Sequence, residues 1–547
     1  GLDLLGGASA GTSTPSVSFD PPLQLANRVG TIPQMPRMYH DRIQTVTTET
    51  GAQTTVAYDT PDCSSAPASD PNDPTDAAAK GFASTNTLRC FPVYWTPDGQ
   101  PSPMLDWFYL HPVRSVTTID PHNSYQDGTQ PELLTEYSYK GNPGWHYDDN
   151  ETVKSKNRTW GQFRGFPEVD ITTGDPNVFH YTDGTKVYDR KTLTKTYYFL
   201  GMNGDTMPSG TRSVPALTSQ DGSVSVADDN PLAGRVFETD TYTGVSGDID
   251  KAVVNVPRII GPTATRNRTG IPDLTANMVR PARTLTRQAV SYGWRKTETD
   301  TFYNTALGQS TTGMAVQSDD RGEVSATGNT AKCTFTRYLD GTPATLVVTA
   351  ETIVTDQDCN SSGASPSGNL VSDTRTSYDG HAFAYNGDGQ SSPDLPSTGD
   401  ATLVQKASAS SGATATKFVD QTQSKYDSYG RVVLATRTPR STAPDGSSLA
   451  QSVATSYTPT SGELPTGTTT ATQITPGAAC TPTTTSSKDC QVASTGLDAA
   501  RGVPVTKTDV AGLVTSLTYD ALGRLTGVWL PNENKANGAP ASMTYSY

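Results

Sequence analysis

Histidines are the residues of this sequence best suited to acid–base or metal chemistry near neutral pH. No two of them have the His-x-x-x-His or His-Glu-x-x-His spacing that places two imidazoles on one face of a helix. His111 and His122 lie in an aromatic-rich stretch, which favours packed or turn histidines over metal ligands. The histidines are His40, His111, His122, His146, His180 and His381. They predict neither a catalytic nor a metal site.

Other stretches resemble catalytic or ion-binding motifs but lack the surroundings that those motifs need. Residues 7–11 read Gly-Ala-Ser-Ala-Gly, the pattern of a nucleophilic serine, yet a Gly-, Ser- and Thr-rich tail follows where a helix is required. The acidic stretch 69–76 contains prolines and lacks the distal Glu of an EF-hand, and the same interpretation applies to 386–400. Carboxylates elsewhere are too many to nominate a glycosidase pair. We predict no catalytic residue, metal ligand or cofactor-binding residue.

The cysteines fall into three pairs of near neighbours, each bracketing a polar, loop-like insert. Fifteen pairings are formally possible. We predict the sequential one, because each bridge then closes a long flexible loop, where a crosslink restricts the unfolded chain most. Zinc is the alternative, but no Cys-x-x-Cys and no nearby histidine supports it. Disulfides indicate an oxidising, extracellular setting. The predicted bridges are Cys63–Cys90, Cys333–Cys359 and Cys480–Cys490.

Two copies of Tyr-Asp-x-x-Gly-Arg are the most distinctive motif of the chain. Asp at the first position and Gly at the fourth are typical of a type I turn closed by a left-handed residue, a common hairpin connection. Alternating apolar residues flank each copy, as in strands. The motif therefore predicts a β-hairpin whose Arg returns beside its own Tyr and Asp. The two copies are Tyr426, Asp427, Gly430 and Arg431, and Tyr519, Asp520, Gly523 and Arg524.

Weaker copies of the motif recur through the second half of the chain. Tyr303, Tyr338 and Tyr457 keep the aromatic residue and the turn residues, and Asp498 keeps the turn without the Tyr. Tyr378, followed by Asp-Gly, is predicted to form a tighter turn. The spacing of successive copies is uneven, so we expect hairpins of one kind separated by loops of varied length rather than a regular solenoid.

Composition also predicts short strands and turns. The chain has 48 Gly, 39 Pro and 24 Tyr against 13 Phe, and only 34% of its residues are hydrophobic. Such a low apolar fraction fits a sheet with one face in water. The net charge of −14 argues against nucleic acid or an anionic membrane as partner, and no apolar run is long enough to span a bilayer. Because the chain begins Gly-Leu-Asp, we expect a processed or excised piece.

The two full motifs resemble the signature of the RHS/YD-repeat family. That family includes bacterial polymorphic toxins, the B and C components of tripartite insecticidal toxin complexes, and the teneurins of animals. The segment 158–175, "RTWGQFRGFPEVDITTGD", resembles the start of the shell region in B-type components, and 194–213 resembles spacers in actinobacterial members. The self-cleaving core motif of the family's toxins does not occur in these residues.

The resemblance implies an all-β fold, a long coiled β-sheet ribbon of YD-repeat hairpins forming part of a hollow shell. We expect a flexible leader at 1–20, an upstream shell region at 21–250, and a degenerate YD-repeat region at 251–547 that is truncated within a repeat. The implied function is a secreted or cell-surface shell segment, without enzymatic activity or cofactor, that helps to encapsulate a C-terminal toxin or effector. Its partners would be the remainder of the polypeptide or further shell chains, and the enclosed cargo. A teneurin-like adhesion protein and a carbohydrate-active β-enzyme are the alternatives.

Overall fold

The structure is a computed structural model that describes most of the chain. The described residues are 18–19, 23–29, 38–48, 51–63, 82–119, 132–325, 331–343, 345–359, 365–387, 395–437, 451–462, 464–482, 485–533 and 535–547. The serine motif at 7–11, the acidic stretch 69–76 and His122 lie outside them. Part of the stretch 386–400 does as well.

The chain folds as two compact units. The first comprises Gly1–Thr301 with Arg321–Asn329, and the second comprises Phe302–Asp320 with Thr330–Tyr547. The predicted boundary at 250/251 separates an upstream region from a repeat region by their sequence motifs, and it stays a prediction.

Unit 1 is built almost entirely of strands. Its main sheet has the order β1-β4-β5-β8-β9-β12-β15-β18-β19-β20-β21, with every neighbouring pair antiparallel. The strands are β1 Ser18–Phe19, β2 Leu23–Ala26, β3 Tyr39–Arg42, β4 Thr45–Thr47, β5 Gln53–Tyr58, β6 Cys90–Trp95, β7 Met104–Tyr109, β8 Val113–Ile119, β9 Glu132–Lys140, β10 Trp145–His146, β11 Gln162–Phe163, β12 Glu168–Thr173, β13 Phe179–Thr182, β14 Thr185–Tyr188, β15 Thr192–Tyr198, β16 Leu217–Thr218, β17 Ser225–Val226, β18 Val236–Tyr242, β19 Ile249–Arg266, β20 Leu274–Val290 and β21 Gly293–Tyr303, whose last two residues belong to unit 2; 3-10 helices cover Ser155–Asn157 and Asn230–Leu232.

Small two-stranded sheets form in the connections between strands of this main sheet: β2–β3, β6–β7, β10–β11, β13–β14 and β16–β17. They carry much of the aromatic content. Trp107, Trp145 and Trp160 pack with the Cys63–Cys90 bridge into one buried cluster. A second cluster centres on Phe199 and Phe237. The first cluster therefore lies among these connections, and the second lies where the β16–β17 connection covers β18 and β19.

Unit 2 is an antiparallel meander, in which consecutive strands from β22 to β35 pair with one another. Its strands are β22 Ala315–Glu323, of which the last three residues belong to unit 1, β23 Lys332–Asp340, β24 Val347–Thr355, β25 Leu370–Tyr378, β26 Ala401–Ser411, β27 Thr414–Tyr426, β28 Val432–Arg437, β29 Gln451–Thr458, β30 Gly467–Gln473, β31 Cys490–Leu497, β32 Pro504–Thr508, β33 Val514–Tyr519, β34 Leu525–Trp529 and β35 Met543–Thr544; a 3-10 helix covers Lys535–Asn537.

Burial follows the period of two that a strand imposes. In β31, Cys490 and Val492 are buried while Gln491 between them is exposed. Most strand residues elsewhere are only partly buried, as the low hydrophobic fraction predicts. The predicted all-β class is confirmed. Among the described residues, no helix is long and apolar enough to cross a membrane.

Candidate functional site

The Asp of each full motif organises its turn by accepting several hydrogen bonds. Asp427 accepts from the amides of Tyr429 (2.9 Å) and Arg431 (3.0 Å) and from Nε of Arg431 (2.7 Å). Gly430 has φ of 71°, in the left-handed region that glycine adopts without strain. Partial desolvation acts to raise the pKa of Asp427, but these hydrogen bonds outweigh it and hold that pKa below its ordinary value.

The second full motif repeats this geometry. Asp520 accepts from the amides of Leu522 and Arg524, both at 2.9 Å, and from Nε of Arg524 at 2.7 Å. Gly523 has φ of 79°. The hydrogen bonds from Arg524 hold the pKa of Asp520 below its ordinary value. The two copies thus form the same Asp–Arg turn, 93 residues apart in sequence (520 − 427).

The tyrosine hydroxyls tie each hairpin to the hairpin before it. Tyr426 donates to the carbonyl of Ala401 (3.1 Å), the residue that pairs with Tyr378. Tyr378 in turn donates to the carbonyl of Thr349 (2.7 Å), which pairs with Tyr338. Each phenol therefore bonds the backbone beside the preceding tyrosine, and we call this series of hydroxyl–carbonyl bonds the tyrosine ladder.

The tyrosine ladder extends beyond the full motifs and also occurs in unit 1. There, Tyr139 donates to the carbonyl of Val113 (2.7 Å), which pairs with Tyr58. Further bonds of unit 2 are Tyr338 to Ala315 (2.7 Å), Tyr457 to Val432 (3.2 Å) and Tyr519 to Pro504 (2.8 Å). Burial raises the pKa of Tyr139 to about 12, so that phenol stays protonated and able to donate at physiological pH.

The arginines connect each turn to the next repeat. The guanidinium of Arg431 lies 4.4 Å from the ring centroid of Tyr457 and donates to the carbonyl of Gly462 at 3.0 Å. Arg524 lies 4.5 Å from the ring centroid of Tyr547 in the same way. The motif predicts each Arg beside its own Tyr and Asp. The ion pair with the Asp forms, but the rings that the arginines contact belong to the following tyrosines, Tyr457 and Tyr547, which the motif does not predict.

One weaker copy of the motif has the predicted tight turn but no hairpin directly after it. Asp379 and Gly380 have φ of 52° and 80°, and the amide of His381 donates to the carbonyl of Tyr378 at 2.9 Å. The chain then returns to the sheet only in β26, at Ala401. Asp379 closes this loop by accepting from the amides of Ser397 (2.6 Å), Thr398 (2.9 Å) and Asp400 (2.8 Å). An Asp directly after the tyrosine therefore also closes a loop that is longer than the turn of the full motifs.

The cysteines form the three sequential bridges. The Cα–Cα distances are 6.0 Å for Cys63–Cys90, 4.9 Å for Cys333–Cys359 and 5.3 Å for Cys480–Cys490. Each bridge lies beside buried apolar residues, for example the Cys333–Cys359 bridge against Phe335 and Ile353. Each bridge thus joins the two ends of its insert beside an apolar cluster.

His146 has a buried carboxylate partner. Its Nε2 lies 3.3 Å from Oδ1 of Asp205, and its Nδ1 lies 2.7 Å from the carbonyl of Tyr147. Burial lowers the pKa of His146 and raises that of Asp205. His111 contacts the carbonyl of Ala26 at 2.9 Å. These are packed histidines bonded to backbone or to one carboxylate.

A row of charged and polar side chains crosses unit 2, and sequence reasoning missed it. Register places five of them side by side on one face of β23 to β27: Arg337, Glu351, Arg375, Gln405 and Asp420. Arg337 bonds Glu351 at 2.6 Å, and Gln405 bonds Asp420 at 2.7 Å. The row emerges only once strand register is known, because its members are 14 to 30 residues apart.

Two clefts differ in the polarity of their linings. One, of about 860 Å³, lies on β32 and β33 and includes Tyr519 and Arg501. A more apolar one, of about 360 Å³, is lined by Tyr139, Phe163 and Phe166. No cluster of three or more metal-ligating side chains occurs among the described residues.

No family model matches the chain, and no curated protein matches it. The chain is similar to the crystal structure of TcdB2-TccC3, with a TM-score of 0.47 and 12% sequence identity over 91% of this chain. It spans a quarter (25%) of the length of that solved chain.

Proposed function

We propose that this chain is a wall segment of a YD-repeat shell, secreted or displayed at the cell surface, that helps to enclose a C-terminal toxin or effector. It acts by enclosing and not by catalysis, and it uses no cofactor. The single observation that supports this most is the tyrosine ladder, which ties each hairpin to its predecessor in addition to the backbone hydrogen bonds of the sheet.

A shell wall made of a single sheet lacks a second sheet packed against it. A sheet that faces open space on one side has no opposing sheet to clamp its strands, so ties within the layer must stabilise it. Here those ties are phenol–carbonyl bonds, Asp–Arg turns and Arg–ring contacts, which all run from one hairpin to the next or close one turn. Such bonds tolerate a half-exposed position better than an apolar contact does.

The three bridges support the extracellular part of the proposal. Disulfides persist in oxidising compartments and are rare where glutathione keeps thiols reduced. All six cysteines are bridged in the structure. The proposed partners are the remainder of the polypeptide or further shell chains, together with the enclosed cargo.

Protease protection in the full-length natural protein tests the enclosing role. We expect the segment that follows this chain to resist digestion in the native protein and to be digested when expressed alone. A triple Tyr378→Phe, Tyr426→Phe, Tyr457→Phe variant should weaken this protection, since it removes three ladder bonds.

Equal digestion of the segment in the native protein and alone would contradict the enclosing role. In that case the adhesion hypothesis takes its place, and binding of the purified protein to cells or to isolated cell walls becomes the deciding measurement.

A further inference from the structure

Two acidic residues of β18 are buried side by side in unit 1. Glu238 and Asp240 stand two residues apart on one strand, so their side chains lie on the same face of the sheet. Both residues have an exposed fraction of 0%. Two ionised carboxylates this close, away from water, repel each other and lose hydration, so the arrangement needs donors or protons.

The hydrogen bonds around this pair are unequal. Glu238 accepts from the amide of Gln220 through Oε2 (2.8 Å) and from Nη2 of Arg287 through Oε1 (3.4 Å). Asp240, in contrast, has two buried carboxylate oxygens with no hydrogen-bond partner among the described residues. Lys195, which pairs with Asp240 across the strands, places its Nζ 3.4 Å from Glu168 and 3.9 Å from Asp170.

The neighbouring elements bring more negative than positive charge to this face. Lys195 comes from β15, Arg287 from β20 and Lys296 from β21, whereas β19 contributes only Ala252 and Val254 opposite the pair. The carboxylates are those of Glu238 and Asp240, Glu168 and Asp170 from β12, and Asp221 from the β16–β17 connection; Tyr197 and Tyr242 are the titratable phenols.

The positive charges are also shared. Arg287 lies 3.5 Å from Asp221 as well as 3.4 Å from Glu238, and Lys296 lies 4.0 Å from Asp221. If all five of these carboxylates were ionised, they would outnumber the cations within ion-pair distance of them, which are Lys195, Arg287 and Lys296. One bound proton reduces this excess and at the same time supplies the donor that Asp240 lacks.

We propose that Glu238 and Asp240 share one proton in the folded protein, with the Glu238 carboxyl donating to Asp240, and that this acid pair makes unit 1 sensitive to pH. Burial raises the pKa of Glu238 to about 7 and raises that of Asp240 as well. In an unfolded chain both groups release their protons near pH 4. The shared proton therefore stabilises the fold fully below about pH 4, and this stabilisation is lost as pH rises through about 7.

Infrared spectroscopy of the intact chain tests the shared proton directly. The carbonyl band of a protonated carboxylic acid should be present near pH 6, should titrate away by about pH 8, and should be weaker in Glu238→Gln and in Asp240→Asn. A matched control, Glu298→Gln, should leave the band unchanged, because Glu298 is ion-paired with Arg283 and Arg321. No acid band titrating in this range in the unmodified protein would overturn the proposal, whether or not the variants fold.

Amide hydrogen exchange measures the consequence for the fold. After correction for the intrinsic pH dependence of exchange, protection of β18 should fall on the order of 100-fold between about pH 5 and pH 8.5. Glu238→Gln should remove this dependence, since an amide side chain can accept from Gln220 while donating to Asp240 at every pH. A Glu238→Gln profile as steep as that of the unmodified protein would contradict the acid pair.

Discussion

Tyr426→Phe isolates one bond of the tyrosine ladder. The substitution removes the hydroxyl that donates to the carbonyl of Ala401 at 3.1 Å and leaves the half-buried ring in place. The carbonyl of Ala401 is then without this donor, and such a neutral hydrogen bond contributes about 1 kcal/mol. We expect local opening of the β26–β27–β28 region to become easier by this amount, which corresponds to roughly fivefold faster amide exchange.

Tyr429→Phe is the matched control, because it makes the same chemical change two residues after the Asp of that turn. Tyr429 is 44% exposed, and no hydrogen bond of its hydroxyl occurs among the described residues. Hydrogen exchange read out by mass spectrometry compares the two variants in peptides covering 401–437. The reasoning is refuted if Tyr426→Phe and Tyr429→Phe exchange at the same rate as the unmodified protein throughout that segment.

Three further predictions concern the turns and bridges. Gly430→Ala should lower the free energy of unfolding by about 1 kcal/mol, because φ of 71° strains a residue that has a Cβ. Steric contact is not the reason, since the atom nearest to the added Cβ, Oδ1 of Asp400, lies at an ordinary 3.6 Å. The exposed Ser428→Ala is the control, and equal denaturation midpoints of the two variants would contradict the prediction. Desolvation acts to raise the pKa of Asp379, but the hydrogen bonds from Thr398, Asp400 and Ser397 outweigh it and hold that pKa well below its ordinary value. The contribution of the Asp379 carboxylate to stability is therefore present above about pH 4 and is lost as pH falls further. Asp379→Asn should therefore expose the 395–400 segment to proteolysis at pH 7 and have a smaller effect at pH 2.5, and an equal effect at both would count against this sign. Replacing Cys480 and Cys490 by Ser should lower stability by about 3 kcal/mol, seen as a lower urea midpoint that reductant shifts less than it shifts the midpoint of the unmodified protein, since two bridges remain.

Local features of the fold were predictable from sequence because they depend on residues close together in the chain. The Asp427 and Asp520 turns follow from Asp and Gly three positions apart, and the structure shows the left-handed glycines that this spacing requires. The cysteine pairs enclose their own inserts, so proximity in sequence pointed to the bridges that form.

Contacts between hairpins were not predictable, because the loops differ in length and strand register therefore does not follow from distance along the sequence. Tyr426 and Tyr519 have the same motif, yet their acceptors lie 25 and 15 residues upstream. Tyr139 takes part in the tyrosine ladder without any Tyr-Asp-x-x-Gly-Arg motif around it. Only the pairing of strands shows that these phenols occupy equivalent positions.

The Glu238–Asp240 pair has a sequence pattern, Glu-x-Asp, that does not by itself predict burial. Glu-x-Asp occurs at Glu168, Glu238 and Glu298, each on a strand of the main sheet of unit 1. In a sheet with one face in water, such residues are expected on the solvated side. What buries Glu238 is the β16–β17 connection, whose Gln220 amide reaches it, and sequence gives no measure of where that connection packs.

A cryo-electron microscopy map of the full-length natural protein would show whether the hairpins form the wall of a shell. We expect a hollow particle whose wall is a single layer of antiparallel hairpins, with density of the following segment inside. Two sheets packed face to face over a filled apolar core, with the following segment outside, would contradict it.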